Sequence, residues 1–507
     1  MPLCLSGRKN FVKLSAFVSL WQEKIMLNYK IILNILGFLL ILNGILMLFA
    51  LPFSLYYKSG DITAILTSAM ITALVGASLW FSTRKNENKN IGKKEGYLIV
   101  SSGWLVISLF GALPYLISGA IPNYTDAFFE SISGFTTTGA SILNDIEAMP
   151  KGILFWRSMT QWIGGMGIIV LSIAILPFLG IGGMQLFVAE VTGVTTDKLH
   201  PHIKETAKRL WGIYVLLTII QTGFLLFGGM DLYDAFSHSF TTMAIGGFST
   251  KQDSIAYYSP FIQYVIIVFM FLAGMNFALH YFSLKLNFKK IWANEEFWFY
   301  SLIVGAFTLT VALGLYVGKH TGLEQSFRDA CFQVVSIVTT TGFVTSDHQS
   351  WSPLLGFLIF ALMFIGGCAG STAGGIKVVR HLLLWKNCIA ELKRLLHPNA
   401  VIPVRLNGKA VSVQIMSNVL AFFLLYIIVF AFGCVFMSML GLDFKSAIGS
   451  VIASLGNIGP GIGSVGPADN YHHIPDPGKW FLSFLMILGR LELFTVLILF
   501  SRAFWRK

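Results

Sequence analysis

Apolar stretches about as long as a bilayer is thick recur along this chain from Tyr29 to Phe504, and no hydrophilic stretch between them is long enough to fold as a domain of usual size. A hydrocarbon core of about 30 Å is crossed by about 20 apolar residues in a helix. The first two such runs, Tyr29 to Phe49 and Ile62 to Phe81, form a hairpin. Only 12% of the residues are charged, against about 25% in a soluble domain, so the chain cannot cover itself with a polar surface. Because hydrocarbon leaves no backbone group unpaired, the expected fold is an all-α polytopic membrane protein with about ten spans.

The net charge of +12, from 36 Lys+Arg and 24 Asp+Glu, gathers in short clusters between apolar spans. Arg84 to Glu95 carries five Lys/Arg and two Glu, and further basic loops run over Lys198 to Arg209, Lys285 to Lys290 and Lys377 to Lys409. That is the charge bias of cytoplasmic loops and not of a nucleic-acid surface. It puts both termini in the cytoplasm. The five cysteines, Cys4, Cys331, Cys368, Cys388 and Cys434, show no redox or metal-ligand spacing. Residues 1–25 lack a small-residue cleavage site after the apolar Phe11 to Trp21, so no signal peptide is expected and Met26 stands as an alternative start.

Beyond the hairpin, one pattern occurs four times: an apolar span, a short amphipathic piece ending in a Gly-bearing segment, a second span, and a basic loop. The segments align without gaps. They read DAFFESISGFTTTG to Gly139, DAFSHSFTTMAIGG to Gly247, DACFQVVSIVTTTG to Gly342 and SAIGSVIASLGNIG to Gly459. Each opens on Asp-Ala or Ser-Ala 13 positions before its glycine. Internal repetition of this kind divides the chain into an extension (1–25), a hairpin (26–95) and four units (96–197, 198–290, 291–396, 397–507).

A span, a short helix, a Gly-bearing strip and a second span make a re-entrant loop, tolerated only where its backbone is buried in protein or lines water. Four such strips meeting at an axis can replace a cation's hydration shell with carbonyl oxygens. Glycine is required where a side chain would block the backbone angles. The short helices add the negative ends of their dipoles, and Thr136 to Thr138 and Thr339 to Thr341 add hydroxyls, a hard-ligand set suited to alkali ions. The competing reading is that small residues merely pack helices closely; the common register of four strips favours the filter.

These residues resemble the Trk/Ktr/HKT superfamily of potassium uptake proteins, and within it the bacterial TrkH/TrkG type. Besides the strips, the resemblance is carried by FWRSMTQWIGGMGIIVL (Phe155 to Leu171), MQLFVAEVTG (Met184 to Gly193), KETAKRLWGIY (Lys204 to Tyr214), GGCAGSTAGGIKVVR (Gly366 to Arg380), HPNAVIPVRLNGK (His397 to Lys409) and GRLELFTVLILF (Gly489 to Phe500). It implies a homodimer in the bacterial inner membrane, each subunit with its own potassium pore built from four pseudo-repeats. It implies no cofactor bound by this chain, and a cytoplasmic nucleotide-binding regulatory subunit of the TrkA type.

The family's filter positions correspond to Thr137, Thr138 and Gly139; Ile245, Gly246 and Gly247; Thr340, Thr341 and Gly342; and Asn457, Ile458 and Gly459. The second and fourth strips lack the Thr-Thr-Gly chemistry of the others, so fourfold symmetry is approximate. Val188 stands where many relatives have Arg. The family's gate corresponds to the loop containing Gly366, Gly367, Gly370, Gly374 and Gly375, followed by Lys377, and its pore-facing arginine to Arg490. The loop is too rich in small residues to continue a helix and should break the third unit's second span. A phosphate-binding loop is excluded because Ile376 separates Gly375 from Lys377 and Val378 follows.

Arg490 lies in an apolar span where a bare charge is costly; it faces water as an electrostatic barrier in the pore, or it pairs with another span. Glu492, two residues on, points to another helix face. Glu130 reads as a buried hydrogen-bonding group, Arg157 and Gln161 as supports for a neighbouring re-entrant loop, His200 and His202 as ordinary loop residues, and His472 and His473 as too few for a metal site. No nucleophile, base and acid recur together, so no enzyme is expected. The alternative function is an alternating-access secondary transporter, coupled to sodium or protons, but such proteins use inverted repeats and these four share one orientation.

Overall fold

The computed structural model describes residues 27–84, 92–170, 199–319 and 322–506. The extension 1–25 with Cys4, Met26, most of the basic loop Arg84 to Glu95, the segment Met184 to Gly193 with Val188, and the side chains of His200 and His202 lie outside the described residues.

The hairpin comes first. α1 (Tyr29–Met47) continues through a single 3-10 turn into α2 (Leu51–Tyr57), and α3 (Ile62–Thr83) returns beside them. The two arms cross at glycines: a Cβ on Gly37 would lie 2.7 Å from the Gly76 carbonyl oxygen, and one on Gly76 the same distance from that of Gly37. Close backbone approach through small residues is how helices associate where lipid supplies no hydrophobic drive.

Four units follow, each an entering helix, a short buried helix, an irregular strip and a returning helix. The first has α4 (Lys93–Gly111), the short α5 (Leu113–Ile117), α6 (Tyr124–Phe135) and α7 (Lys151–Val170). The second has α8 (Leu199–Phe227), α9 (Leu232–Met243), α10 (Pro260–Gly274), α11 (Phe277–Leu284) and α12 (Lys289–Trp292). The third has α13 (Glu295–Lys319), α14 (Leu323–Val338), α15 (Pro353–Leu362) and α16 (Val378–Leu396). A two-stranded hairpin, β1 (Arg405–Leu406) and β2 (Lys409–Ala410), precedes the fourth, which has α17 (Val413–Met439), α18 (Phe444–Leu455), α19 (Asp476–Arg490), α20 (Phe494–Leu497) and the terminal α21 (Arg502–Trp505).

Entering helices and short helices differ in what surrounds them. α13 and α17 leave Leu302, Leu309, Leu313, Leu424 and Phe432 largely exposed, which only a hydrocarbon solvent accepts without cost. α6, α9 and α18 are buried along nearly their whole length, and α14 is buried over its C-terminal half, with Leu323 and Phe327 exposed near its start. Three of them start at an Asn or Asp that accepts backbone N–H groups: Asn123 from Thr125, Asp231 from Asp234, and Asp443 from Lys445 and Ser446. α14 starts instead after Gly322.

Six helices among the described residues are long and apolar enough to cross a membrane, and counting each of the bent pairs α10–α11 (104°) and α19–α20 (112°) as one broken span makes eight. Where the sequence reading places two further spans stand α7, which carries Lys151, Arg157 and Gln161, and α15 with α16, interrupted over residues 363–377; neither, over the described residues, is long and apolar enough to meet the same measure. The break in the third unit follows the sequence expectation. Those in the second and fourth units were not expected: Asn276 caps α11 through the Ala278 N–H at 2.9 Å, and Glu492 and Leu493 adopt positive φ of 58° and 33° before α20.

Candidate ion-conducting site

Each short helix ends in the same backbone sequence of conformations. After the αR caps Thr136, Ala244, Thr339 and Gly456 come left-handed residues at Thr137 (φ 52°), Ile245 (55°), Thr340 (62°) and Asn457 (53°). Two positions later Gly139, Gly247, Gly342 and Gly459 are left-handed again, with φ of 84°, 75°, 80° and 96°. The residue between donates its N–H five residues back in all four: Thr138 to Ser133 O (2.8 Å), Gly246 to Thr241 O (2.8 Å), Thr341 to Ser336 O (2.7 Å) and Ile458 to Ala453 O (2.9 Å). This is the helix-ending motif that normally takes Gly or Asn at its left-handed position. Thr and Ile there cost of order 1 kcal/mol each, strain of the sort that persists where surrounding structure over-determines it.

The four strips close into a ring. A Cβ on Gly139 would be driven into the carbonyl oxygen of Gly246, one on Gly247 into that of Thr341, and one on Gly342 into that of Ile458. The circle is completed by Gly459, whose Cβ would lie 2.7 Å from the Thr138 carbonyl oxygen. Every strip thus sets its glycine against the residue before the next strip's glycine, in the same rotational sense. The four strip glycines, Gly139, Gly247, Gly342 and Gly459, open onto one vestibule that Arg157 and Lys251 also line.

Polar side chains hold the strips from behind. Nine positions before their glycines stand Glu130, His238, Gln333 and Ser450. Glu130 accepts from the Ile142 N–H (2.9 Å) and Ser141 Oγ (3.0 Å) and pairs with Arg157 Nε at 2.6 Å. His238 Nε2 meets Ser249 Oγ at 3.0 Å, and Gln333 Nε2 donates to Ser346 O at 3.1 Å. Ser450 bonds only to Ala447 O, within its own helix. Arg157 reaches across to donate to Ser249 O at 3.0 Å. In the fourth strip Asn457 Nδ2 donates to Thr138 Oγ1 and to Met486 O, both at 2.9 Å, and Tyr471 OH donates to Gly459 O at 2.7 Å.

On the side away from the vestibule, residues 366–377 pack against the ring. Gly374 N–H donates to Thr340 Oγ1 at 2.8 Å, Thr372 Oγ1 donates to Met243 O at 3.0 Å, and a Cβ on Gly374 would lie 2.7 Å from Asn457 Cβ. Gly366 N–H donates to Ile376 O (2.8 Å), and the bent second unit holds the loop from outside, with Gly274 O accepting from Cys368 N–H (2.9 Å) and Phe277 N–H donating to Gly370 O (3.1 Å). Gly367 sits in the same turn, where its carbonyl accepts from Val378 N–H (3.1 Å), and Gly375 is left-handed at φ 63°. Glu296 accepts from Ala369 N–H at 2.6 Å. Lys377 Nζ folds back onto Ala373 O.

Among the described residues Arg490 pairs with no carboxylate. Its Nη1 donates to Thr372 O (2.7 Å) and its Nη2 to Gly164 O (3.1 Å), while Glu492 is taken by Arg380 at 2.5 Å. The guanidinium, 2% exposed, therefore ties the loop to α7. Arg157 and Gln161 contact the second strip, as the sequence suggested. His473 meets Ser464 Oγ (2.8 Å) in an exposed turn.

Sequence reasoning singled out Glu130 but not His238 or Gln333, although all three share one register. It missed Lys479, which joins Asp126 at 2.5 Å with both groups buried and so links the fourth unit to the first short helix. It also missed Asp61, whose Oδ2 accepts the Ile153 N–H at 2.9 Å and ties the hairpin to the start of α7.

Residues 61–507 match the family described as TrkH, cation transport protein. The chain is 44% identical over 490 residues, 95% of its length and all of the relative's, to the Trk system potassium uptake protein TrkH of Escherichia coli (strain K12). It is 34% identical over 483 residues, 94% of its length and 99% of the relative's, to TrkG of the same strain. Among solved structures, the potassium transporter TrkH from Vibrio parahaemolyticus superposes with a TM-score of 0.87 at 41% identity, covering 95% of this chain and 100% of that one. With a ring of four glycine strips at its centre and likeness of this extent on either side of it, the chain belongs to the TrkH family of cation transport proteins.

Proposed function

We propose that this protein takes up potassium across the bacterial inner membrane through a filter formed by Thr137 to Gly139, Ile245 to Gly247, Thr340 to Gly342 and Asn457 to Gly459. The observation that carries the reading is the closed ring, in which four strained strips with one backbone conformation meet glycine to carbonyl. A strip built on left-handed residues keeps its carbonyls out of helix hydrogen bonding, which leaves hard oxygen ligands for a dehydrated alkali cation. The negative ends of α6, α9, α14 and α18 converge on the same place. The common rotational sense of the strips supports this pore over alternating access between inverted repeats.

The remaining parts take their roles from this axis. The four units, 96–197, 198–290, 291–396 and 397–507, are pseudo-repeats around it. The loop Gly366 to Gly375, with Lys377, is the gate, and Arg490 clamps it shut by holding Thr372 O. Both termini and the basic segment Lys377 to Lys409 lie in the cytoplasm, where a nucleotide-binding regulatory subunit docks; two copies of the chain pair in the membrane, lipid solvates their exposed apolar faces, and no enzymatic step or bound cofactor is involved.

Rubidium-86 uptake into proteoliposomes, competed with potassium, sodium and lithium, tests the reading. A Cβ on Gly342 would collide with Ile458 O, so Gly342→Ser should lose most of the preference for potassium over sodium. Unchanged competition in a folded Gly342→Ser protein would refute the filter assignment.

A further inference from the structure

The first and third strips hold themselves by a threonine staple that the second cannot make. Thr136 Oγ1 meets Thr138 Oγ1 at 2.8 Å, and Thr339 Oγ1 meets Thr341 Oγ1 at 2.7 Å, with Thr136 and Thr339 also donating back to Ile132 O (2.6 Å) and Val335 O (2.7 Å). At the corresponding positions the second strip has Ala244 and Gly246. It is nevertheless left-handed at the same two positions, Ile245 and Gly247. Something outside the strip must supply the missing constraint.

That something is Gln161, on the returning helix of the preceding unit. Its Nε2 donates to the carbonyl oxygen of Gly246 at 2.5 Å, and its Oε1 accepts the N–H of Phe248 at 3.1 Å. One amide therefore grips the strip on both sides of Gly247. The space it occupies is the space a threonine would need: the heavy atoms nearest to a Cβ built on Gly246 are Gln161 Cδ, Oε1 and Nε2, all too close to coexist with it. Gly246 itself has no positive φ, so its glycine answers to that side chain and not to backbone conformation. The helix can come near enough because Gly165 lies directly against Ala244, where a Cβ would sit 2.8 Å from Ala244 Cα.

We propose that Gln161 is a specificity-determining positioning residue, which replaces in trans the threonine side chain that the second strip lacks and holds the Gly246 carbonyl in the register needed to discriminate potassium from sodium. The proposal rests on the filter reading given above. It makes two claims of different kinds: the amide hydrogen bonds tune selectivity, and the amide and a side chain at position 246 are mutually exclusive.

Both are tested in one rubidium-86 competition assay on full-length protein in proteoliposomes, with Gly342→Ser as the control for the filter itself. Gln161→Leu keeps the volume and removes both hydrogen bonds; in a protein that still folds and carries rubidium it should narrow the preference for potassium over sodium roughly tenfold, the size expected for two lost hydrogen bonds. Gly246→Ser should lose discrimination in the presence of Gln161 and regain much of it in the Gln161→Ala, Gly246→Ser double variant, whose small side chain fits the vacated space. Where Gln161→Leu does not fold, the reciprocal rescue by the double variant decides the matter alone. If Gly342→Ser abolishes discrimination but Gln161→Leu leaves the ratio of potassium to sodium inhibition unchanged and Gly246→Ser is tolerated beside Gln161, the role given to Gln161 falls and the filter stands. If Gly342→Ser is also without effect, the filter reading falls with it.

Discussion

Glu130 and Arg157 meet at 2.6 Å with side chains 0% and 2% exposed, so each charge is solvated by the other and by the return strands of two strips. Removing one partner from a buried pair leaves an uncompensated charge and costs about 3–5 kcal/mol, whereas replacing both costs less. Glu130→Gln should therefore lower the apparent unfolding temperature in detergent sharply, and Glu130→Gln with Arg157→Gln should recover part of the loss; additive losses would show that the two do not act as a pair. A second residue acts through pH. His348, in the turn after the third strip, has no hydrogen-bond partner on either ring nitrogen among the described residues, and burial holds its pKa down to about 4. The unfolded chain takes up a proton near pH 6.5 while the folded one does not, so the neutral imidazole disfavours folding progressively as pH falls from about 6.5 to about 4. His348→Phe should flatten the drop in unfolding temperature between pH 7 and pH 5; an equally steep drop would place the acid sensitivity elsewhere. Glu130 was visible in the sequence as an ionisable residue in an apolar register, but the burial of His348 was not, because it depends on packing against Trp351 from the same loop.

Returning helices in this protein pack against the ends of short helices through bare backbone. A Cβ on Gly489 would collide with the carbonyl oxygen of Leu455, and one on Gly164 with that of Phe135, so two returning helices touch the ends of their own short helices through bare backbone. Gly223 on α8 has nothing within 4 Å of an added Cβ. Gly489→Ala should accordingly destabilise the protein strongly or prevent its accumulation in the membrane, while Gly223→Ala, relieved of glycine's poor helix propensity, should be neutral or slightly stabilising; equal behaviour of the two in a thermal unfolding series would contradict the packing described. The contrast also shows what the sequence could and could not convey about elements. Long apolar runs and the GGCAGSTAGG interruption announce the entering helices and the break in the third unit. The bends at Asn276 and at Glu492–Leu493 carry no comparable run of small residues; at the first, Phe277 N–H donates to Gly370 O at 3.1 Å, and the second follows Gly489, which lies against the Leu455 carbonyl. The Asn407-Gly408 turn between β1 and β2, with φ of 48° and 78°, was there to be read as a two-residue hairpin.

At the scale of the molecule, the arrangement follows from register. Four segments with a glycine 13 positions after an Asp-Ala or Ser-Ala pair can satisfy their unpaired backbone together by meeting around an axis, and the meeting of Gly139, Gly247, Gly342 and Gly459 was legible for that reason. The asymmetry was legible only in part. Sequence showed that the second and fourth strips lack threonines, but not what compensates: Gln161 reaches the second strip from the first unit, Asn457 of the fourth strip bonds to Thr138 of the first, and Tyr471, 12 residues beyond Gly459 in the same unit, holds the Gly459 carbonyl. The central claim is that the four strips act as one filter although their chemistry differs. Its most direct test is the preference for potassium over sodium in rubidium-86 competition, measured for Gly139→Ser, Gly247→Ser, Gly342→Ser and Gly459→Ser side by side. The account predicts that each variant loses discrimination, with Gly459→Ser mildest because its Cβ clearance of 2.7 Å is the least tight of the four. Loss confined to one strip, with the other three variants discriminating as the unaltered protein does, would contradict it.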